Sequence, residues 1–355
     1  MSDRVQKEFF GKTSTGEDIY KFTLSNKSKV SVSILNFGSI VYEINLPDKD
    51  DNVVDVNLGF DNVKDYEGNR NYFGALCGRV ANRISGAKFT LDGTTYEVSK
   101  NIPIGGGHWV HGGFVGFSRR VWGYEVKDDT LILSYTDPDG SEGMPGEVAT
   151  NVTYTLDDDN VLTMDYKATT TKPTIIDMGS QFMVNLAGHG NGAIKDHVIQ
   201  IDSDRYLEMM ENDVLPTGNT ISVIEDTAMD FRKPRSIEGD TLETLTGGRA
   251  LCHDFQFDKR GEKKFMARVE HPESKRYMEV YSTNSTVMAY SNHFMKVLVG
   301  DKSCKDGVVY ERYAALALMP MGYPNSVNHE NFPQSVVRPG EEYHETAWYK
   351  FGTTE

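Results

Sequence analysis

Glu341 closes the turn Arg338-Pro339-Gly340-Glu341, just ahead of an alternating run that begins at Tyr343. A carboxylate there is either a proton acceptor or one more charge on a solvated turn. Asn82 and Arg83 stand together in Gly78-Arg79-Val80-Ala81-Asn82-Arg83-Ile84. An amide beside a guanidinium fork suits vicinal hydroxyls or a carboxylate, and an arginine that satisfies buried carbonyls would look the same. His111 precedes Gly112 and Gly113, and two residues without Cβ let the backbone come close to whatever the imidazole faces. No His-x-His, Cys-x-x-Cys or carboxylate cluster has metal-ligand spacing. Gly105-Gly106-Gly107 lacks the following Lys-Ser/Thr of a phosphate cradle. The expectation is therefore acid–base chemistry by side chains, with no metal and no cofactor.

These residues must be positioned by strands. Short β-rich runs bounded by glycine and Asx turns recur along the chain, and helical periodicity is scarce. Val30–Ile34, Ile40–Leu46, Leu131–Thr136, Ala149–Leu156, Val161–Thr169, His197–Ile201, Tyr277–Thr283, Val287–Ser291 and Tyr343–Phe351 read as strands. Phe89–Tyr96 reads as a hairpin closed by Asp92-Gly93. Asp137-Pro138-Asp139-Gly140 is a turn signal, and Asp157–Asn160 is a polar hairpin tip. No linker, repeat or composition shift divides the chain. The expected fold is all-β: one large antiparallel β domain spanning residues 1–355.

The 355 residues carry a net charge of −15, which argues against nucleic acid as a partner. The densest apolar run, Ala314–Met321, is too short for a membrane helix and contains Pro320. The charged first residues lack a secretory core. Cys77, Cys252 and Cys304 form an odd, widely spaced set that suits a reducing compartment. In that setting the sequons at Asn26, Asn151 and Asn284 are coincidental. A cytoplasmic protein with no membrane partner is expected.

Several segments, in order over nearly the full length, resemble the aldose 1-epimerases, or galactose mutarotases. They are Gly78–Ile84, His111–Gly113, Asn185-Leu186-Ala187-Gly188, Leu215-Pro216-Thr217-Gly218, Asp230-Phe231-Arg232-Lys233-Pro234 and Phe332–Tyr343. The resemblance implies a β-sandwich of the galactose mutarotase type, with a sugar cleft on the concave face of a large sheet. The partner it implies is a small-molecule sugar or sugar-like ligand, and the chain is expected to be a monomer or homodimer. Mutarotation needs a base for the anomeric hydroxyl proton and an acid for the ring oxygen. By resemblance Glu341 is the base, while Asn82, Arg83 and His111 hold the sugar.

Three positions depart from the family pattern. Gln181, in Ser180–Leu186, stands where the family has its acid histidine. An amide donates a hydrogen bond but delivers no proton, and loss of a general acid costs about a hundred- to ten-thousand-fold in rate. Cys252 falls on a family aspartate, with Asp254 two residues on and on the same strand face. Met288 replaces a family glutamine. Each lost neutral hydrogen bond is worth roughly 0.5–1.5 kcal/mol, so two or three would weaken hexose binding by about a hundredfold. Trp109, where the family has a small residue, either stacks on a ligand or covers core. Other proton sources are His108 and His253; His293 is expected on the opposite face, and His189 in a loop. The leading expectation is an isomerase that interconverts sugar anomers with Glu341 as base. The alternatives are a relative redirected to a less polar cyclic metabolite and a non-catalytic carbohydrate-binding protein.

Overall fold

A computed structural model describes residues 4–68, 71–211, 213–237, 250–258, 260–295, 299–300 and 303–354. Three antiparallel sheets build its body. The first is a meander of Val5–Lys12, Asp18–Ser25, Ser31–Leu35, Ile40–Pro47 and Val53–Asp55. The second has nine strands, in the order Gly123–Lys127, Thr130–Asp137, Val148–Leu156, Val161–Thr170, Tyr343–Thr353, Arg276–Ser282, Lys264–Glu270, Val198–Ile201 and Arg235–Ser236. Val148–Leu156 and Val161–Thr170 alternate between buried and more accessible residues, as a sheet with one face in the core requires. The expected hairpin is present, with Lys88–Leu91 paired to Thr94–Glu97.

The third sheet carries the site. Its order is Pro216–Ser222, Arg205–Met209, Cys252–Gln256, Thr286–Tyr290 and Ala317–Met321. Every residue of the last two strands is buried, because this sheet has protein on both faces. Phe255, Val287, Ala289 and Leu318 join the main core shared with Val152, Tyr154, Tyr166 and Tyr349 of the nine-stranded sheet. Met288, Tyr290, Met319 and Met321, the alternate residues, face a second cluster with Cys77, Ala81 and Met183. Strand parity thus turns one set of side chains to the core and the other to the cleft.

Candidate active site

Asn82 and His111 are 29 residues apart and fixed to each other. The strand Trp109–Val110 pairs with Arg83–Ile84, so Val110 lies opposite Arg83. His111 N–H donates to Asn82 O at 3.0 Å, and Asn82 N–H donates to His111 Nδ1 at 3.1 Å. Both residues have left-handed backbones, with φ of 57° and 48°, a conformation that asparagine tolerates and that must otherwise be imposed by the surroundings. Gly112 follows because a Cβ there would lie 2.0 Å from Gly78 O.

Since His111 Nδ1 accepts a hydrogen bond, its proton sits on Nε2. Burial, with Arg83 as a neighbouring cation, lowers its pKa to about 3. His111 is therefore a neutral donor at Nε2, edge-on to the Tyr72 ring at 4.8 Å.

The Asn82 side chain points to the third sheet. Its Nδ2 lies 3.5 Å from Asp254 Oδ1 and 3.9 Å from Met288 Sδ, while its Oδ1 accepts from Arg83 Nη1 at 2.8 Å. Asp254 pairs with Met288, and Met288 with Met319, so one carboxyl and two thioethers form a single rung of the sheet. Asp254 is only 2% exposed. Burial raises its pKa to about 7, Arg83 opposes the shift, and the like charge of Asp177 adds to it. Asp177, itself buried and pushed up to about 7, accepts from Gly322 N–H at 2.8 Å.

Gln181 enters from the strand Gly179–Gln181, which pairs with Ala75–Cys77. A Cβ on Gly179 would lie 3.0 Å from Met319 Cε, so this strand flanks the thioether end of the rung. Gln181 Nε2 donates to Asn71 O at 3.1 Å, and Cys77 Sγ lies 3.9 Å from its Oε1.

Cys252, two residues along the strand from Asp254 and on the same face, borders a cavity of 180 Å³. Arg83, Ile104, Met209, Asp213, His293 and Phe294 also line it. Its volume, below the roughly 300 Å³ at which sites for drug-sized ligands begin, suits a small molecule with one end in solvent. Arg83 Nε and His293 Nδ1 are buried there without a partner among the described residues. Burial, aided by Arg312 and Arg83, lowers the His293 pKa to about 4. A larger hollow of 320 Å³ lies among Lys27, Lys29, Leu46, Asp48, Asn160 and Gly352. It lacks buried convergent polar groups, so the smaller cavity is the better site.

A sequence profile of the aldose 1-epimerase family matches residues 20–350. Galactose mutarotase from Mus musculus is 37% identical over 348 residues, 98% of each chain. Aldose 1-epimerase from Escherichia coli is 30% identical over 342 residues, covering 95% of this chain and 96% of that one. A solved aldose epimerase homologue from C. elegans superposes with a TM-score of 0.85 at 25% identity, over 99% of this chain and all of the other. The chain belongs to the aldose 1-epimerase family. As an aldose 1-epimerase family member it is an isomerase in class, and it has the galactose mutarotase-like β-sandwich.

Against that family pattern the structure sorts the expected residues. Asn82, Arg83, His111, Asp254 and Met288 come together, and of these Arg83 also lines the cavity, with Cys252. The register of Cys252–Gln256 puts Asp254, not Cys252, beside Asn82. Glu341 does not join this cluster. It is exposed, its N–H donates to Arg338 O, and its Oε2 accepts from Arg338 N–H at 2.9 Å, so the carboxylate folds back on its own turn. Trp109 is 1% exposed and packs with Val80, Ile84, Phe89 and Met144. It covers core instead of offering a stacking face.

The other histidines divide in the same way. His293 was expected on the far face, yet it lines the cavity, because the strand ends at Tyr290 and alternation no longer holds beyond it. His253 packs against Tyr206, away from Asp254. His108 Nε2 meets Asp213 at 3.1 Å on the rim, while its Nδ1 accepts from Gly86 N–H. His189 is held by Tyr310 and Asp306. Sequence reading missed Met319: its strand is a continuous apolar run that contains Pro320, and only the rung Asp254–Met288–Met319 reveals its place.

Proposed function

We propose that the protein interconverts the anomers of an aldose, or of a sugar-like cyclic hemiacetal, at the 180 Å³ cavity. The observation that carries this reading is the pair Arg83 Nε and His293 Nδ1, buried on the cavity wall without a partner among the described residues, with Arg83 Nη1 tied to Asn82 beside Asp254. In this reading Arg83 and His111 Nε2–H hold ring hydroxyls, and the anomeric end faces Asp254. Galactose, named in the mouse relative, is the first substrate to try. The Met288–Met319 floor favours ligands with an apolar face, at about 25 cal/mol per Å² buried. We further take residues 1–355 as one catalytic unit working in the cytoplasm; three widely spaced cysteines, an odd number, suit a reducing compartment. Among the described residues no helix is long and apolar enough to cross a membrane.

Polarimetry of freshly dissolved α-galactose tests the reading. Decay of rotation faster than in buffer is expected, with the acceleration lost in Arg83→Ala. A second reading, a binding protein without turnover, is favoured by Gln181, whose amide cannot deliver a proton, and by the outward-facing Glu341. Saturable galactose binding without acceleration would select it.

A further inference from the structure

Arg83 lines the 180 Å³ cavity with one edge of its guanidinium unused. Nη1 donates to Asn82 Oδ1 at 2.8 Å, while the edge made by Nε and Nη2 carries no hydrogen bond among the described residues, and Nε is buried. Among those residues no carboxylate lies within ion-pair distance of it; Asp254 reaches it only through the Asn82 amide. His293 shares the cavity wall. It is 9% exposed, its Nδ1 is buried without a partner among the described residues, and Arg83 is near enough for its charge to oppose protonation of the ring. The imidazole is therefore neutral at pH 7 and adds no second cation.

We propose that Arg83 and His293 form a carboxylate subsite, so that the ligand is an aldose bearing a carboxylate away from its anomeric centre, as a uronic acid does. This rests on the reading that the cavity binds a cyclic hemiacetal, and it names the class of that hemiacetal. The Nε–Nη2 edge is a side of the guanidinium fork that meets two carboxylate oxygens with two parallel N–H bonds. The tautomer of His293 that carries its proton on Nδ1 supplies a further donor at the same wall. A hydroxyl would satisfy one N–H and leave the cation without a counter-charge, and a buried cation is costly until it is paired. Ile104, Met209, Val214 and Phe294 line the same cavity. Their apolar atoms lower the local dielectric, so an opposite charge on Arg83 counts for more than it would in water.

Two acidic side chains, Asp213 and Glu211, also line the cavity, and they set a limit on the charge it takes. Asp213 meets His108 Nε2 at 3.1 Å and accepts from the Val214 N–H at 2.7 Å. Glu211 is exposed, where water and salt screen it. A singly charged carboxylate is compatible with that setting. A phosphate, with a charge of about −2 at pH 7, would face both acids with one guanidinium to hold it.

Calorimetry of the wild type with galacturonate, galactose and galacturonamide, at pH 7 and one ionic strength, tests the subsite. Galacturonate should bind roughly ten- to a hundredfold more tightly than either neutral sugar, the worth of hydrogen bonds to charged groups. Arg83→Lys keeps the charge and loses the planar fork, so it should cut that advantage to about threefold or less. Galacturonate that binds no more tightly than its amide would overturn the proposal without recourse to any variant. If the same sample accelerates galactose mutarotation in polarimetry, the epimerase reading survives that failure. Tight galacturonate binding with neither sugar's mutarotation accelerated would support the subsite and overturn the epimerase reading instead.

Discussion

Asp254→Asn should make the protein more stable above pH 7, though it removes a group from the cleft. Asp254 is buried with its pKa raised from 3.8 to about 7. The folded state therefore holds a proton, between about pH 4 and pH 7, that the unfolded chain has lost. With more protons bound in the folded state, stability falls as pH rises across that window and levels off above it. A shift of about three units corresponds to roughly 4 kcal/mol at 1.36 kcal/mol per unit. An asparagine escapes this ionisation but keeps a buried amide with imperfect partners, which returns about half of the gain. Asp254→Asn should thus be about 2 kcal/mol more stable than wild type at pH 8, near 4 °C in Tm at roughly 2 °C per kcal/mol. At pH 4 the difference should vanish or change sign. Urea unfolding at pH 4, 6 and 8 gives the comparison directly. A variant destabilised equally at all three values would show that Asp254 is ionised and well satisfied in the fold.

Three further outcomes follow from the placement of side chains. Glu341→Gln should keep the galactose mutarotation rate within about twofold, because Glu341 contacts only its own turn; a loss of a hundredfold by polarimetry would return the base role to it. Trp109→Ala should lower stability by about 3–5 kcal/mol in urea unfolding, since the ring lies in the core; Trp109→Phe should leave ligand affinity unchanged in calorimetry. Met288→Gln adds an amide beside Asn82 and should tighten galactose binding about three- to tenfold, the worth of one neutral hydrogen bond.

How much of this was legible in the sequence differed by element. Strands with one solvated face announced themselves by alternation: Val148–Leu156 and Val161–Thr170 fall within a residue of their expected limits. Ala317–Met321 did not, because a strand buried on both faces has no alternation to show. Its Pro320 also argues against a strand, yet Ala317–Met321 is the edge of its sheet, where a missing N–H is tolerated.

The members of the candidate site were legible as candidates, and their placement was not. Asn82, Arg83 and His111 were found from their motifs, and the parity of Cys252 and Asp254 named the two candidates that register then separated. Glu341 lies apart from the cluster, and its motif has a sufficient local cause. Pro339 presets the turn, Gly340 takes a φ of 90°, and the Glu341 carboxylate binds the Arg338 amide. A turn that stabilises itself looks, in sequence, like a turn that delivers a base.

A crystal structure of the protein soaked with galactose tests the central claim most directly. The account predicts the sugar at the 180 Å³ cavity, with its anomeric end toward Asp254 and other hydroxyls on Arg83 and His111 Nε2. A sugar bound against Glu341, or one whose anomeric carbon points away from Asp254, would contradict it.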